Sequence, residues 1–174
     1  GHGVLVVEKG EPAAGTSSRS SKLIHGGLRY LETMELRLVH ESLRERKILL
    51  GIAPHLVRLI DFHIPVYGDM RRGTWTMRAG LSLYSLLAGF RQDSRYVSLP
   101  RSEWEALDGL RTQDLRGVLR YQDGATDDAL LTRAVLASAV ELGAEKMLGT
   151  ELIRAERTGD YWQVELSRNG VAEK

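Results

Sequence analysis

Gly15-Thr16-Ser17-Ser18-Arg19-Ser20-Ser21-Lys22-Leu23-Ile24-His25-Gly26-Gly27-Leu28-Arg29-Tyr30 is the stretch that decides how this chain is read. It follows a short apolar run that ends in an acid, Val4-Leu5-Val6-Val7-Glu8. A continuously apolar run, rather than an alternating one, predicts a buried strand of a parallel sheet. A carboxylate at the end of such a strand can accept hydrogen bonds from ribose hydroxyls. The loop after it is rich in hydroxyls and closes on Lys22. Side-chain O–H, backbone N–H and an ammonium group can therefore face phosphate or a polyol chain. Serine and glycine tracts are more often flexible linkers. Arg19, Lys22 and the apolar sequence directly on either side argue against that here.

Outward from the loop, Leu36, Val39, Leu43 and Leu50 recur near one face and predict an amphipathic helix over Glu35–Leu50. Ala53-Pro54 ends it, because the residue before proline resists the α region. Leu59–Tyr67 reads as a strand with Phe62, Ile64 and Val66 on one face. Thr74–Ala88 reads as a helix stopped by Gly89, Tyr96–Leu99 as a short strand and Ser102–Ala106 as a short helix. Val118–Gln122 predicts a strand, with Asp123-Gly124 as the turn after it. Thr126 or Asp127 caps a helix over Asp128–Leu142 that has one broad apolar face and stops at Gly143. Lys146–Thr150 predicts the next parallel strand, and Thr150–Leu166 two strands around Thr158-Gly159-Asp160.

Composition narrows the function classes. A length of 174 residues holds one domain or parts of two. The net charge of +1 argues against nucleic acid as a partner. The absence of cysteine removes disulfides and thiolate chemistry. The five histidines lack metal-ligand spacing, so no metal is expected. No apolar run reaches the ~18 residues that span a bilayer.

The loop and its surroundings resemble the FAD-dependent glycerol-3-phosphate dehydrogenases. The shared run is Ser21-Lys22-Leu23-Ile24-His25-Gly26-Gly27-Leu28-Arg29-Tyr30-Leu31-Glu32. The likeness continues through Arg44-Glu45-Arg46, Ala53-Pro54-His55-Leu56, Arg78-Ala79-Gly80-Leu81 with Tyr84, and Thr126-Asp127-Asp128-Ala129. It implies an α/β fold: a partial FAD-binding, Rossmann-like domain with a parallel sheet and helices, carrying an inserted α+β segment. Residues 1–58 and 121–174 would be the cofactor-domain pieces, and 59–120 the insert.

In such a unit a strand and a Gly-x-Gly-x-x-Gly turn precede the acid by about 20 residues. Glu8 has only seven residues before it, and no such motif occurs in the chain. The expectation is a chain that begins inside a nucleotide-binding unit and stops before its substrate domain is complete.

The resemblance implies FAD as cofactor. Glu8 would hold the adenosine ribose. Thr16, Ser17, Ser18, Ser21, Lys22 and Leu23 would line the pyrophosphate, ribityl chain and ring. His25 and Gly26 would approach the isoalloxazine, where glycine allows close backbone approach and positive φ. Leu152 would meet the adenine through its backbone. Arg29 and Tyr30 would face the substrate. A phosphate monoester needs fixed cationic donors, and arginine offers a planar fork. The alternative for Arg29 is a surface pair with Glu32.

The implied reaction is oxidation of sn-glycerol 3-phosphate at C2 to dihydroxyacetone phosphate, with electrons passing to a quinone or, in related oxidases, to oxygen. The resemblance assigns no general base within this chain. It also suggests a cytoplasmic protein, with peripheral membrane contact (Arg71-Arg72 as the candidate) and a homodimer as open partners. Two other readings compete. One is an amine or amino-acid oxidoreductase of the same superfamily. The other is a folded fragment without cofactor or activity, because the diphosphate would lack a helix N-terminus to offset its charge.

Overall fold

The computed structural model describes residues 2–70, 73–168 and 171–173, the last three as backbone. Arg71 and Arg72 lie outside the described residues, and so does the reading placed on them. In chain order the elements are β1 (Leu5–Glu8), β2 (Leu23–Ile24), α1 (Leu36–Ile52), β3 (Val57–Tyr67), α2 (Thr74–Leu87), β4 (Val97–Ser98), α3 (Arg101–Trp104), β5 (Leu115–Thr126), α4 (Asp128–Glu141), β6 (Glu145–Leu148), β7 (Thr150–Thr158), β8 (Tyr161–Arg168) and β9 (Val171–Glu173). Single 3-10 turns cover Thr16–Arg19, Leu28–Leu31 and Gln92–Ser94.

The chain forms two compact units, residues 1–21 with 127–174, and residues 22–126. These divisions differ from the expected ones at 58/59 and 120/121. The reason is β5, which pairs with β3 along its length and with β2 and β4 on its other edge, so residues 22–126 stay together.

In the first unit β1 and β6 pair in parallel, from Leu5 opposite Glu145 to Glu8 opposite Leu148. The parallel pairing matches the reading of both runs. The expected burial of the first does not hold. Val4 and Leu5 are 54% and 48% exposed, because β6 is the strand's only partner among the described residues. Asp127 caps α4, its Oδ1 accepting from the Ala129 and Leu130 N–H groups at 3.0 and 3.1 Å. Gly143 ends the helix at φ 97°; its N–H donates to the Val140 carbonyl and the Ala144 N–H to that of Ala139, the Schellman arrangement. β7, β8 and β9 form an antiparallel meander whose first hairpin turns at Gly159-Asp160.

The second unit is a four-stranded antiparallel sheet with α1 and α2 packed beside it. β3 and β5 pair from Val57–Thr126 to Tyr67–Leu115, with an irregularity at Val66/Tyr67. One core cluster joins Val39 and Leu43 of α1 to Tyr84 of α2, with Leu28, Tyr30 and Leu31 packed on it. A second joins Leu99, Leu115 and Val118. α1 ends at Ala53, as the following proline requires. α2 ends in a Schellman arrangement at Gly89, φ 76°.

Asp123-Gly124 is not a turn. Both residues lie inside β5 and both are buried. Gly124 is tolerated there because β2 runs so close: a Cβ on it would sit 2.8 Å from the Ile24 carbonyl oxygen. Asp123 is held by a buried cation, described next.

Candidate functional site

β2 pairs with the end of β5, Leu23 opposite Ala125 and Ile24 opposite Gly124. This registers the His25-Gly26-Gly27 segment over Asp123. The Gly26 N–H donates to both Asp123 oxygens, at 3.1 and 3.3 Å. Asp123 also accepts from the Gly124 N–H at 3.0 Å, from the Tyr84 hydroxyl at 3.3 Å and from Arg46 Nη1 at 2.7 Å. Arg46 and Asp123 are each 2% exposed. The guanidinium reaches further, through Nη1 to the Gln122 carbonyl and through Nη2 to Ser94 Oγ. The buried charge is thus paired and hydrogen-bonded, which burial of an ion requires.

Sequence reading quoted Arg46 and Tyr84 as parts of a resemblance and missed their joint role. A signal was present. Val39, Leu43 and Arg46 follow 4,3 spacing, so the cation sits on the apolar face of α1 and demands a buried acid.

Gly26 and Gly27 are glycine for different reasons. Gly27 adopts φ 75°, as anticipated, and a Cβ on it would stand 2.7 Å from Tyr30 Cδ2. The space beside Gly26 belongs to the core. A Cβ there would overlap the Tyr84 hydroxyl and lie 2.5 Å from Leu43 Cδ2. Gly26→Ala is therefore expected to lower unfolding free energy by about 1–3 kcal/mol, the usual range for overpacking. Urea unfolding monitored by tryptophan fluorescence measures it; an unchanged midpoint contradicts the contact.

After Gly27 the chain makes one 3-10 turn, with the Tyr30 N–H donating to the Gly27 carbonyl at 2.9 Å. Arg29 and Tyr30 then diverge. Arg29 is exposed and lines a cavity of about 590 Å³ within this unit, together with His25, Leu23 and Asp123. The Tyr30 ring packs on the Val39–Leu43–Tyr84 cluster, 6.5 Å from the His25 ring, with the Arg29 guanidinium 5.3 Å from its centroid. Most of the cavity wall is apolar, from Leu28, Phe62, Leu81, Leu83 and Tyr121, with few polar groups. That size and lining suit a small organic ligand. Trp75 is 81% exposed and the Trp104 indole N–H donates to the Leu99 carbonyl; neither lines the cavity.

Burial lifts the phenolic pKa of Tyr84 far above its ordinary value, and that of Tyr121 to about 12; the negative Asp123 nearby adds to both, and Arg46 opposes. The sign of the consequence follows from proton counting. Below the ordinary value of 10.0 both the folded and unfolded chains hold these protons. Above it the unfolded chain releases them first, so stability falls as pH rises from about 10 toward 12. Denaturant midpoints across that range are expected to drop, and Tyr84→Phe to make the drop shallower.

In the other unit, Glu8 ends β1 and its Oε1 accepts from the Gly10 N–H at 2.8 Å. Thr16–Arg19 form a 3-10 turn in which Ser18 Oγ donates to the Ala14 and Gly15 carbonyls, at 3.1 and 2.8 Å. The Ser18 hydroxyl hydrogen is therefore spent on the shape of its own loop. Ser20 donates to Asp128 in the first turn of α4, tying the loop to that helix. Thr16 and Ser21 are exposed and Ser17 is half-buried. Lys22, counted with the second unit, takes φ 62°, and its carbonyl accepts from the Thr126 N–H at 3.0 Å. Leu152 lies at an irregularity of the β7–β8 ladder and is 54% exposed. Among the described residues no cluster of His, Cys, Asp and Glu could hold a metal ion, and no helix is long and apolar enough to cross a membrane.

Comparison with known proteins places this geometry in a family. A glycerol-3-phosphate dehydrogenase of Pseudomonas aeruginosa is 42% identical over 172 residues, covering 97% of this chain and 32% of that protein. A D-erythritol 1-phosphate dehydrogenase of Brucella abortus is 38% identical over 172 residues, covering 98% of this chain and 34% of that protein. The chain thus spans about a third of the length of the curated relatives it matches. In fold it is similar to a glycerol-3-phosphate dehydrogenase from Bacillus halodurans complexed with FAD, at TM-score 0.68 and 22% identity over 99% of this chain and 27% of that one. The family described as FAD dependent oxidoreductase (DAO) matches residues 1–174, and the chain belongs to it.

Proposed function

We propose that this chain is part of an FAD-dependent enzyme that oxidises glycerol 3-phosphate to dihydroxyacetone phosphate. The observation that carries the reading is Arg29, set by the Gly27 turn at the wall of an apolar cavity of about 590 Å³. The residues fit the cofactor chemically. A planar ring favours apolar walls, and the polar lining of this cavity comes from His25, Arg29, Glu32, Thr76 and Asp123.

Bound FAD would supply the two-electron redox chemistry that oxidation at C2 requires. The chain's own residues bind and orient. Arg29 would clamp the phosphate through charge-assisted hydrogen bonds and so fix where the carbon lies. Tyr30, packed on the Val39–Leu43–Tyr84 cluster, would serve the substrate by steadying that guanidinium with its ring face. Leu23 and His25 line the cavity and would meet the ring, with Gly26 setting their segment from the core side. Glu8 would accept from the ribose through Oε2, its Oε1 being engaged by Gly10. Thr16, Ser17, Ser21 and Lys22 would take the diphosphate and ribityl chain, Ser18 would shape the loop that presents them, and Leu152 would take the adenine.

A second reading has a specific support: one relative is named for D-erythritol 1-phosphate. Both readings require a polyol phosphate. Steady-state turnover of the complete gene product with an artificial electron acceptor separates them. Glycerol 3-phosphate is expected to give the highest kcat/KM, ahead of erythritol 1-phosphate and of a panel of amino acids. Preference for an amino acid overturns the proposal. Electron transfer to a quinone, peripheral contact with a membrane, a cytoplasmic location and a homodimer extend the same reading. Quinone reduction, vesicle sedimentation, cell fractionation and sedimentation velocity test them.

A further inference from the structure

We propose that Arg46 and Asp123 form a positioning pair for the His25-Gly26-Gly27 segment, acting on the site without being its ligands. The inference deepens the reading above and rests on it for its consequence in catalysis, though not for its structural test. One carboxylate collects four donors from four places: the Gly26 N–H after β2, the Gly124 N–H of β5, the Tyr84 hydroxyl of α2 and the Arg46 guanidinium of α1. Arg46 closes the arrangement at its far end by donating to Ser94, whose carbonyl in turn accepts from Ser85 of α2.

Stability alone does not explain such a pair, since well-packed apolar residues serve a core equally well. Conformational selection does. β2 contributes two residues to the sheet, so its ladder is too short to fix the direction in which the chain leaves it. The Gly26 N–H lies two residues past that ladder, and Asp123 captures it with both oxygens. Gly26 can come that close only because the Tyr84 hydroxyl and Leu43 occupy its side-chain position. Two and three residues later the chain delivers Leu28 and Arg29 to the cavity wall. Arg46 holds Asp123 in one orientation, in which both carboxylate oxygens face the Gly26 N–H.

Arg46→Lys tests this in the complete gene product. It keeps the charge and removes the fork that spans Asp123 and Ser94. Amide hydrogen exchange is read at Gly26–Leu28 and, as reference, at Ile60–Val66 in the β3–β5 ladder. The expected result is about tenfold faster exchange at the first set with the second within about twofold, which is local rather than global opening. The visible circular dichroism of bound flavin is expected to change alongside, with kcat falling more than KM rises. Where Arg46→Lys does not fold, Ser94→Ala, which frees only the Nη2 end, is expected to give the same pattern in smaller degree. Equal acceleration of both sets, or no acceleration at Gly26–Leu28, overturns the proposal. A wild-type protein that does not turn over polyol phosphates overturns the functional reading instead, and the exchange pattern still decides the pair.

Discussion

Arg29→Ala is expected to lower kcat/KM for glycerol 3-phosphate by about 10²–10³-fold. A hydrogen bond to a charged group contributes about 1.5–3 kcal/mol, and a bidentate guanidinium–phosphate contact makes two. Losing both removes about 3–4 kcal/mol of transition-state stabilisation, since each 1.36 kcal/mol is tenfold in rate. The loss should fall on phosphorylated substrates alone. Any slow oxidation of unphosphorylated glycerol by the same protein should be unchanged, because the deleted group has no partner there. Arg29→Lys should recover only part, as an ammonium keeps the charge and gives up the fork. Stability should move little, because Arg29 is exposed and its described contact is the face of Tyr30. A fall of equal size on glycerol and on its phosphate would show that Arg29 acts on the fold or the ring and not on phosphate.

Asp123→Ala is expected to cost about 3–5 kcal/mol of unfolding free energy, the range for breaking a buried ion pair from one side. The substitution strands Arg46, which is 2% exposed. It also takes the acceptor from the Gly26 and Gly124 N–H groups and from Tyr84. Arg46→Met combined with Asp123→Ala should destabilise less than the sum of the two single changes, because the double variant buries no unpaired charge. It should not return to the wild-type value, since the two backbone donors remain without their acceptor. Urea unfolding of the four proteins gives the cycle. Strict additivity would mean that the 2.7 Å contact carries no coupling.

The helices were legible because their signals are local. Asp127 and Gly143 bracket α4, and Pro54 and Gly89 stop α1 and α2, each through the backbone chemistry of one or two residues. The hairpin at Gly159-Asp160 was legible for the same reason. Asp123-Gly124 was misread because Asp-Gly is among the strongest local turn signals. Its place inside β5 is imposed by Arg46, 77 residues earlier in the chain, and by the backbone of Ile24. No window around Asp123 contains either. Burial of β1 was overestimated on similar grounds. An apolar run states what a strand can bury, while the neighbours present decide what it does bury.

The sequence motif proposes site residues, and only the structure supplies their arrangement. The motif pointed to His25–Tyr30, and the structure brings that segment to the cavity through Arg29. It could not reveal that Tyr30 turns its ring to the Val39–Leu43–Tyr84 cluster, or that Gly26 makes room for the core. Those outcomes depend on side chains from α1 and α2 that meet the segment only after the sheet has formed.

Anaerobic mixing of the flavin-loaded complete gene product with glycerol 3-phosphate, followed by visible absorbance, addresses the central claim most directly. Loss of the oxidised-flavin band in proportion to added substrate, abolished at the same concentrations in Arg29→Ala, is the predicted result. A fully loaded protein whose band survives excess polyol phosphate, yet bleaches with an amino acid, would contradict the account.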